Sequence, residues 1–317
     1  MKKEISDTYY NRTISDKLFE FIKVNYQWLI DFVFETPELD FQTGSNATDT
    51  WFSIYRGTGK ILKIKENGKC SADPKYIKLL PSFYESPSKE ELKVLLNLIN
   101  KDNDLGRYYK GIDGKKKEGF YQNLISKRYS LFCEPDDDFC IIDKEFALGY
   151  KDEKTKRELM EPIIKKYDSF IKKLEGKQGF GKKIKQSGTE CDFVGLKKDG
   201  DILLLELKRH EDTAKIYLSP LQAGKYTDLT MQYVNKHPDI FSSNILKMVR
   251  QKIEMGILKP KFQLPNRLSK RIIPAVVVGG KPSKTALKNF KTVRGIVGKK
   301  ISLYTCDENG KLKKLIE

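Results

Sequence analysis

Gly188-Thr189-Glu190-Cys191-Asp192-Phe193-Val194-Gly195-Leu196, then Lys197-Lys198-Asp199-Gly200, then Asp201-Ile202-Leu203-Leu204-Leu205-Glu206-Leu207-Lys208, is the stretch that decides the reading of this chain. Two apolar runs of strand length flank a short polar break with Gly at its end, the pattern of a β-hairpin. Side chains alternate along a strand, so Leu203, Leu205 and Leu207 face one way, and Ile202, Leu204, Glu206 and Lys208 the other. Two charged groups ending an otherwise apolar strand are costly to bury without a partner. The register supplies one. With Lys198-Asp199-Gly200 as a three-residue turn, Lys197 pairs with Asp201 and Asp192 falls opposite Glu206. Cross-strand β-carbons at such a pair lie about 4.5–5.5 Å apart. Carboxylates that close repel each other unless a cation lies between them. In the same register Glu190 faces Lys208.

The residue types fit phosphodiester chemistry. A metal held by Asp192 and Glu206 can neutralise charge on a phosphate and supply a nucleophilic water. Lys208, on the same face, can orient that water or help deprotonate it. Oxygen donors of this kind suit Mg²⁺, which keeps several waters, with Mn²⁺ as a substitute. The two histidines, His210 and His237, leave little for a histidine-built centre. The five cysteines are odd in number and form no Cys-x-x-Cys pair, which argues against a zinc ribbon or a disulfide framework. Reduced thiols in a cytoplasmic protein are the simplest expectation.

Asp192 followed by Glu206-Leu207-Lys208 resembles the PD-(D/E)XK nuclease superfamily, with Glu190-Cys191-Asp192-Phe193 in place of the literal Pro-Asp. Downstream, Gln222-Ala223-Gly224-Lys225-Tyr226 is similar to the Gln-x-x-x-Tyr element of the RecB-type exonuclease branch. The resemblance covers roughly residues 153–280. It implies a restriction-endonuclease-like α/β core, a central mixed sheet flanked by helices. It further implies Mg²⁺-dependent cleavage of nucleic acid, with Gln222 and Tyr226 on nucleic acid beside the active site. It calls for an acid from the first core helix as well. Glu158, Glu161 and Glu175 are candidates, and Glu158 in Arg157-Glu158-Leu159 is similar to the helix signature of resolvase-like members.

The surroundings agree with an α/β plan. A helix is predicted over 153–175, with Pro162 kinking it or starting its second part. Strands are predicted at 182–186, 189–196 and 202–209, and a helix opening at Ser219-Pro220. A further helix spans 244–255, and strands lie at 272–279 and 301–306. The first half reads as α+β. A helix runs over 16–34, and a hairpin joins Trp51–Arg56 to Lys60–Lys65. A Ser88-x-x-Glu91 box opens another helix. Residues 100–119 read as loop, and 129–133 and 139–148 as strands. A domain boundary is placed near residue 150, giving 1–150 for recognition of substrate or partner and 151–317 for the nuclease core.

Sixty Lys and Arg against 43 Asp and Glu give a net charge of +17. Such an excess favours a polyanionic partner, because neutralising phosphates releases counterions. On the hairpin, Tyr55, Arg56, Lys60, Lys63 and Lys65 interleave aromatic and basic residues, and Lys247, Arg250 and Lys252 form a basic helix edge. No apolar run long enough to span a membrane occurs, and none follows Met1-Lys2-Lys3-Glu4 as a secretory signal requires.

The expected function is metal-dependent hydrolysis of nucleic acid, DNA in the first instance and RNA as the other choice, in restriction, phage defence, repair or recombination. A homodimer is compatible with this reading. The alternatives are a nucleic-acid-binding protein on a retired nuclease fold, which would bind without cleaving, and a structural or assembly protein whose basic surface only holds nucleic acid.

Overall fold

The computed structural model describes residues 7–46, 48–106, 109, 116–181, 184 and 190–317. In chain order the elements are β1 (Thr8–Tyr9), α1 (Asp16–Asn25), α2 (Gln27–Glu35), β2 (Leu39–Ser45), β3 (Thr50–Arg56), β4 (Gly59–Lys65), β5 (Cys70–Ser71) and α3 (Pro74–Ile77). After these come α4 (Lys89–Lys101), α5 (Asn103–Gly106), α6 (Glu118–Ser130), β6 (Phe139–Phe146), β7 (Gly149–Tyr150) and α7 (Glu153–Leu174). The remainder is β8 (Cys191–Lys197), β9 (Ile202–Arg209), α8 (Thr213–Lys236), α9 (Pro238–Glu254), β10 (Ile272–Gly279), α10 (Lys284–Val297), β11 (Ser302–Cys306) and β12 (Leu312–Ile316).

The chain forms two compact units. One comprises Asn11–Cys140 with Asn244–Phe262; the other takes the residues up to Tyr10, Ile141–Ser243 and Gln263–Glu317. The chain leaves the first unit at Ile141, where β6 joins the sheet of the second, and Asn244–Phe262 belongs again to the first unit.

In the first unit, β2-β3-β4-β5 form an antiparallel sheet. One face carries Phe52, Ile54, Leu62 and Ile64, which pack with Leu18, Ile22, Leu29 and Val33 of α1 and α2 and with Leu92, Leu95 and Ile99 of α4. Tyr26 breaks the single helix expected over 16–34 into α1 and α2, its backbone at φ −129°. The expected Ser88 cap forms, with its hydroxyl accepting from Glu91 N at 3.3 Å. Residues 129–133, read as a strand, lie at the end of α6 and just beyond it. Tyr121, Ile125 and Tyr129 are buried there at helical spacing. The charge on Arg128 and Lys127 hid that period.

In the second unit, six strands form one mixed sheet in the order β12-β11-β10-β9-β8-β6. The β8–β9 hairpin is antiparallel, β9 and β10 are parallel, and so are β10 and β11. Each parallel step needs a crossover: α8 and α9 for the first, α10 for the second. Val276, Val278 and Leu303 of the sheet pack against Ile216, Leu221 and Ala223 of α8, Tyr167 and Leu174 of α7, and Phe290 and Val293 of α10. Helices α7, α8 and α10 therefore cover this face. The strand expected at 182–186 lies outside the described residues, apart from Ile184, and β6 holds the sheet position beside β8.

Helix α8 begins at Thr213, not at Ser219-Pro220. Pro220 has no N–H for the carbonyl of Ile216 one turn back, and the Ser219 hydroxyl donates to that carbonyl at 2.6 Å. The Ser-Pro pair thus repairs a helix interior where the sequence suggested a helix start. No helix among the described residues is long and apolar enough to cross a membrane.

Candidate active site

The β8–β9 hairpin holds the predicted register. Phe193 pairs with Leu205 and Leu196 with Ile202. Lys197 N donates to Asp201 O at 3.0 Å, and Gly200 closes the turn at φ +85°, a conformation that only glycine adopts freely. Counting from the hydrogen-bonded pair Lys197–Asp201, alternate pairs are hydrogen-bonded. The paired register ends at Phe193–Leu205. Continued by one step, it would set Asp192 opposite Glu206 at a non-hydrogen-bonded position, where side chains approach most closely.

There the ladder gives way. Leu207 N–H donates to the Asp192 carboxylate at 2.7 Å, and the Cys191 thiol lies 3.3 Å from Leu205 O. Side chains have replaced strand-to-strand bonds, and Asp192 is fixed against β9. Glu206 is 2 % exposed, and one of its oxygens accepts from the Lys208 ammonium. The parallel register sets Glu206 beside Val276 and Lys208 beside Val278, both core residues under α7, α8 and α10. An apolar strand thus carries a buried carboxylate and an ammonium onto the helix-covered face.

Helix α8 brings its own groups to that face. Gln222 donates through its amide to the Tyr226 hydroxyl, one turn along. Tyr226 is 2 % exposed; burial pushes its hydroxyl up, and the nearby Glu206 carboxylate adds to the shift, with smaller effects from Cys191 and Asp192. Gln222 and Tyr226 therefore lie with the acids. Tyr226 also lines an open cleft with Glu190, Met160, Tyr150 and Lys156. Glu190, expected opposite Lys208, lies beyond the paired part of β8 and is exposed at that cleft.

Two further residues join the group. Lys225 is buried; burial pushes its ammonium down, opposed by Asp168 first and Glu206 second. Asp168, from α7, is thus an acid whose charge reaches Lys225. Glu158 and Glu161 are exposed and pair with Lys154 and Lys165 of their own helix. Glu175 accepts from Ile184 N at 3.0 Å. The phase of α7 is set by buried Met160, Tyr167 and Leu174, and neither Glu158 nor Glu161 is brought to the carboxylate pair. Gly224 permits the close approach, since a β-carbon there would lie 2.6 Å from the Tyr167 hydroxyl and 2.9 Å from Val297. Asp228 of α8 accepts from that same hydroxyl at 3.0 Å and pairs with Lys166 and Lys299, pinning the helices. In the sequence, Lys225 was hidden among sixty Lys and Arg. Asp168 could have been found by asking which acid of the helix sits next to its buried stripe.

Chemically, the site is a set of hard oxygen donors with ammonium groups about them. Cys191 is an unsuitable nucleophile or soft ligand, since burial, Glu206 and Asp192 hold its thiol protonated. Two carboxylates that both act on Cys191 and Tyr226, one of them buried, are a donor set of the kind that suits a small divalent cation. Elsewhere, the carboxyl oxygens of Glu134, Asp136 and Asp137 lie within 4.8 Å of one another, close enough to hold a metal ion, with Arg128 bonded to Asp137 at 2.6 Å and to Glu134 at 2.8 Å.

Comparison with known proteins returns no family model, no curated protein and no solved structure that matches this chain.

Proposed function

We propose that this protein is a metal-dependent nuclease of the PD-(D/E)XK type, hydrolysing phosphodiester bonds, with DNA as the first substrate to test. The observation that carries the reading is that Asp192 is bonded to β9 at Leu207 N–H, next in sequence to the buried Glu206, which accepts from Lys208.

Asp192 and Glu206 would hold Mg²⁺, which when bound supplies a Lewis acid for the phosphate and a more acidic water. The chain's own residues do the rest. Leu207 N–H fixes one Asp192 oxygen, so that carboxylate is preorganised. Lys208 lies within bonding distance of Glu206 and holds donors at one point, as positioning a nucleophilic water requires. Tyr226, kept protonated by burial and its acid neighbours, is a donor for a phosphate oxygen, with Gln222 steering its hydroxyl. Lys225 offsets negative charge on Glu206 and Asp168 from the helix side.

The test is incubation with linear, circular and branched DNA under Mg²⁺, Mn²⁺ and chelator. Cleavage that needs a divalent cation supports the reading, and its products separate exonuclease from endonuclease or resolvase. Binding with no cleavage under any cation would leave a nucleic-acid-binding protein on a nuclease-like sheet.

A further inference from the structure

The sheet of the other unit carries a basic row for which the site above has no use. On β3, Phe52 and Ile54 belong to the core, so Trp51, Ser53 and Tyr55 face the other way. The antiparallel register places Lys65 opposite Trp51 and Lys63 opposite Ser53, and a shift that leaves Ile61 unpaired sets Lys60 opposite Tyr55. Three lysines of one short strand therefore share a face on which Ser53 and Tyr55 are buried, while all three lysines are half-exposed.

Their charges are not dispersed. Lys63 is pushed below the ordinary lysine range by burial, then by the like charges of Lys60 and Lys65, with only Asp49 opposing. Asp49 is already engaged by Lys65 at 2.9 Å. Among the described residues neither Lys60 nor Lys63 is ion-paired. Lys63 is instead held in place by an aromatic ring: its ammonium lies 3.9 Å from the centroid of the Trp51 ring. That ring in turn lies over Gly44 of β2, where a β-carbon would fall 2.3 Å from the indole. Trp51 is thus occupied by Lys63 and Gly44. It serves as a strut for an ammonium, and a nucleobase would have to displace Lys63 to stack there.

We propose that Lys60 and Lys63, with Lys63 set by Trp51, form a contact surface for the phosphate backbone of nucleic acid. The inference rests on the reading of nucleic acid as substrate. It assigns to this unit a grip on phosphates that is independent of base sequence. Charge favours this partner: two ammonium groups with no ion pair among the described residues, beside a third on the same strand, suit a repeating anion. An ammonium grip fails if the surface reads bases instead, since discrimination between sequences comes from base edges.

The experiment measures binding of a 20-nucleotide oligo-dT strand and of a mixed-sequence duplex to the full chain as a function of salt. The background is Glu206→Gln, so that cleavage does not intervene. Lys60→Gln with Lys63→Gln should weaken both probes by about tenfold or more and reduce the salt slope by the equivalent of roughly two phosphates, about 1.8 for the duplex. Lys60→Arg with Lys63→Arg should retain the slope, and a thermal melt checks that each variant is folded. An unchanged slope in the folded glutamine variant overturns the proposal. The nuclease reading is scored separately, by cleavage with the Glu206 chain: cleavage with an unchanged slope sinks only this surface. Loss of slope without cleavage sinks only the active site.

Discussion

Lys208 is bonded to the buried carboxylate of Glu206, and the nature of that bond decides its role. A mere counter-charge could be replaced by arginine. A group that positions a water could not, because guanidinium is a planar fork that reaches farther than a compact ammonium. Misplacement of a reacting group by about 1 Å costs on the order of a hundredfold in rate. Lys208→Arg should therefore lose about a hundredfold in single-turnover cleavage, with affinity for DNA close to the parent's, as read by filter binding on the same preparations. Equal rates would reduce Lys208 to a counter-ion. Tyr226→Phe removes only a hydroxyl whose proton burial and Glu206 hold in place. It should slow cleavage by about tenfold while the protein's melting temperature stays within a few degrees. A cleavage rate unchanged by this substitution would remove Tyr226 from contact with the phosphate.

Two elements are held by side chains that a sequence pattern does not advertise. Within α8, Ser219 serves the Ile216 carbonyl that Pro220 leaves open. Ser219→Ala should cost about 1–3 kcal/mol, the penalty of a buried unsatisfied carbonyl, measured by urea unfolding. In the other unit, the Lys127 ammonium donates to the carbonyls of Val33 at 2.8 Å and Thr36 at 2.7 Å, closing the end of α2 from α6. Helix ends need such partners. Burial pushes this ammonium down to about 8, opposed by Asp40. An unfolded lysine keeps its proton to about 10.4. Between about pH 8 and that value the unfolded chain binds more protons, so this group makes stability rise with pH across that window and contributes no slope below it. Lys127→Met should be less stable than the parent at pH 7 and should show a smaller rise between pH 8 and 10. Parallel stability curves for the two proteins would contradict this account of Lys127.

At the scale of the molecule, much of the plan was legible because it is written in two periods. Alternation along β8 and β9 and the turn Lys198-Asp199-Gly200 made the hairpin and its register legible as far as Phe193–Leu205. Trp51–Arg56 and Lys60–Lys65 were legible for the same reason. The helix of residues 118–130 was not, because lysine and arginine on its buried side masked the period and Tyr129 invited a strand. The start of α8 was missed because Ser-Pro is the signal of a helix opening, and only the surrounding contacts decide that it sits inside one. Nor could spacing alone choose among acids on α7; the choice depends on how the helix rolls onto the sheet, which Gly224 and Asp228 set. The net charge of +17 pointed to a polyanion, and only register placed Lys60, Lys63 and Lys65 on one face. The central claim is that the pair Asp192 and Glu206 supports cation-dependent cleavage. The most direct measurement is single-turnover cleavage of linear DNA across a Mg²⁺ titration, for the parent and for Glu206→Gln, with binding followed in parallel. The account predicts that the parent cleaves only with the cation, while the variant binds DNA like the parent and loses at least about a thousandfold in rate. Cleavage by Glu206→Gln at the parent's rate, or parent cleavage undiminished by chelator, would contradict it.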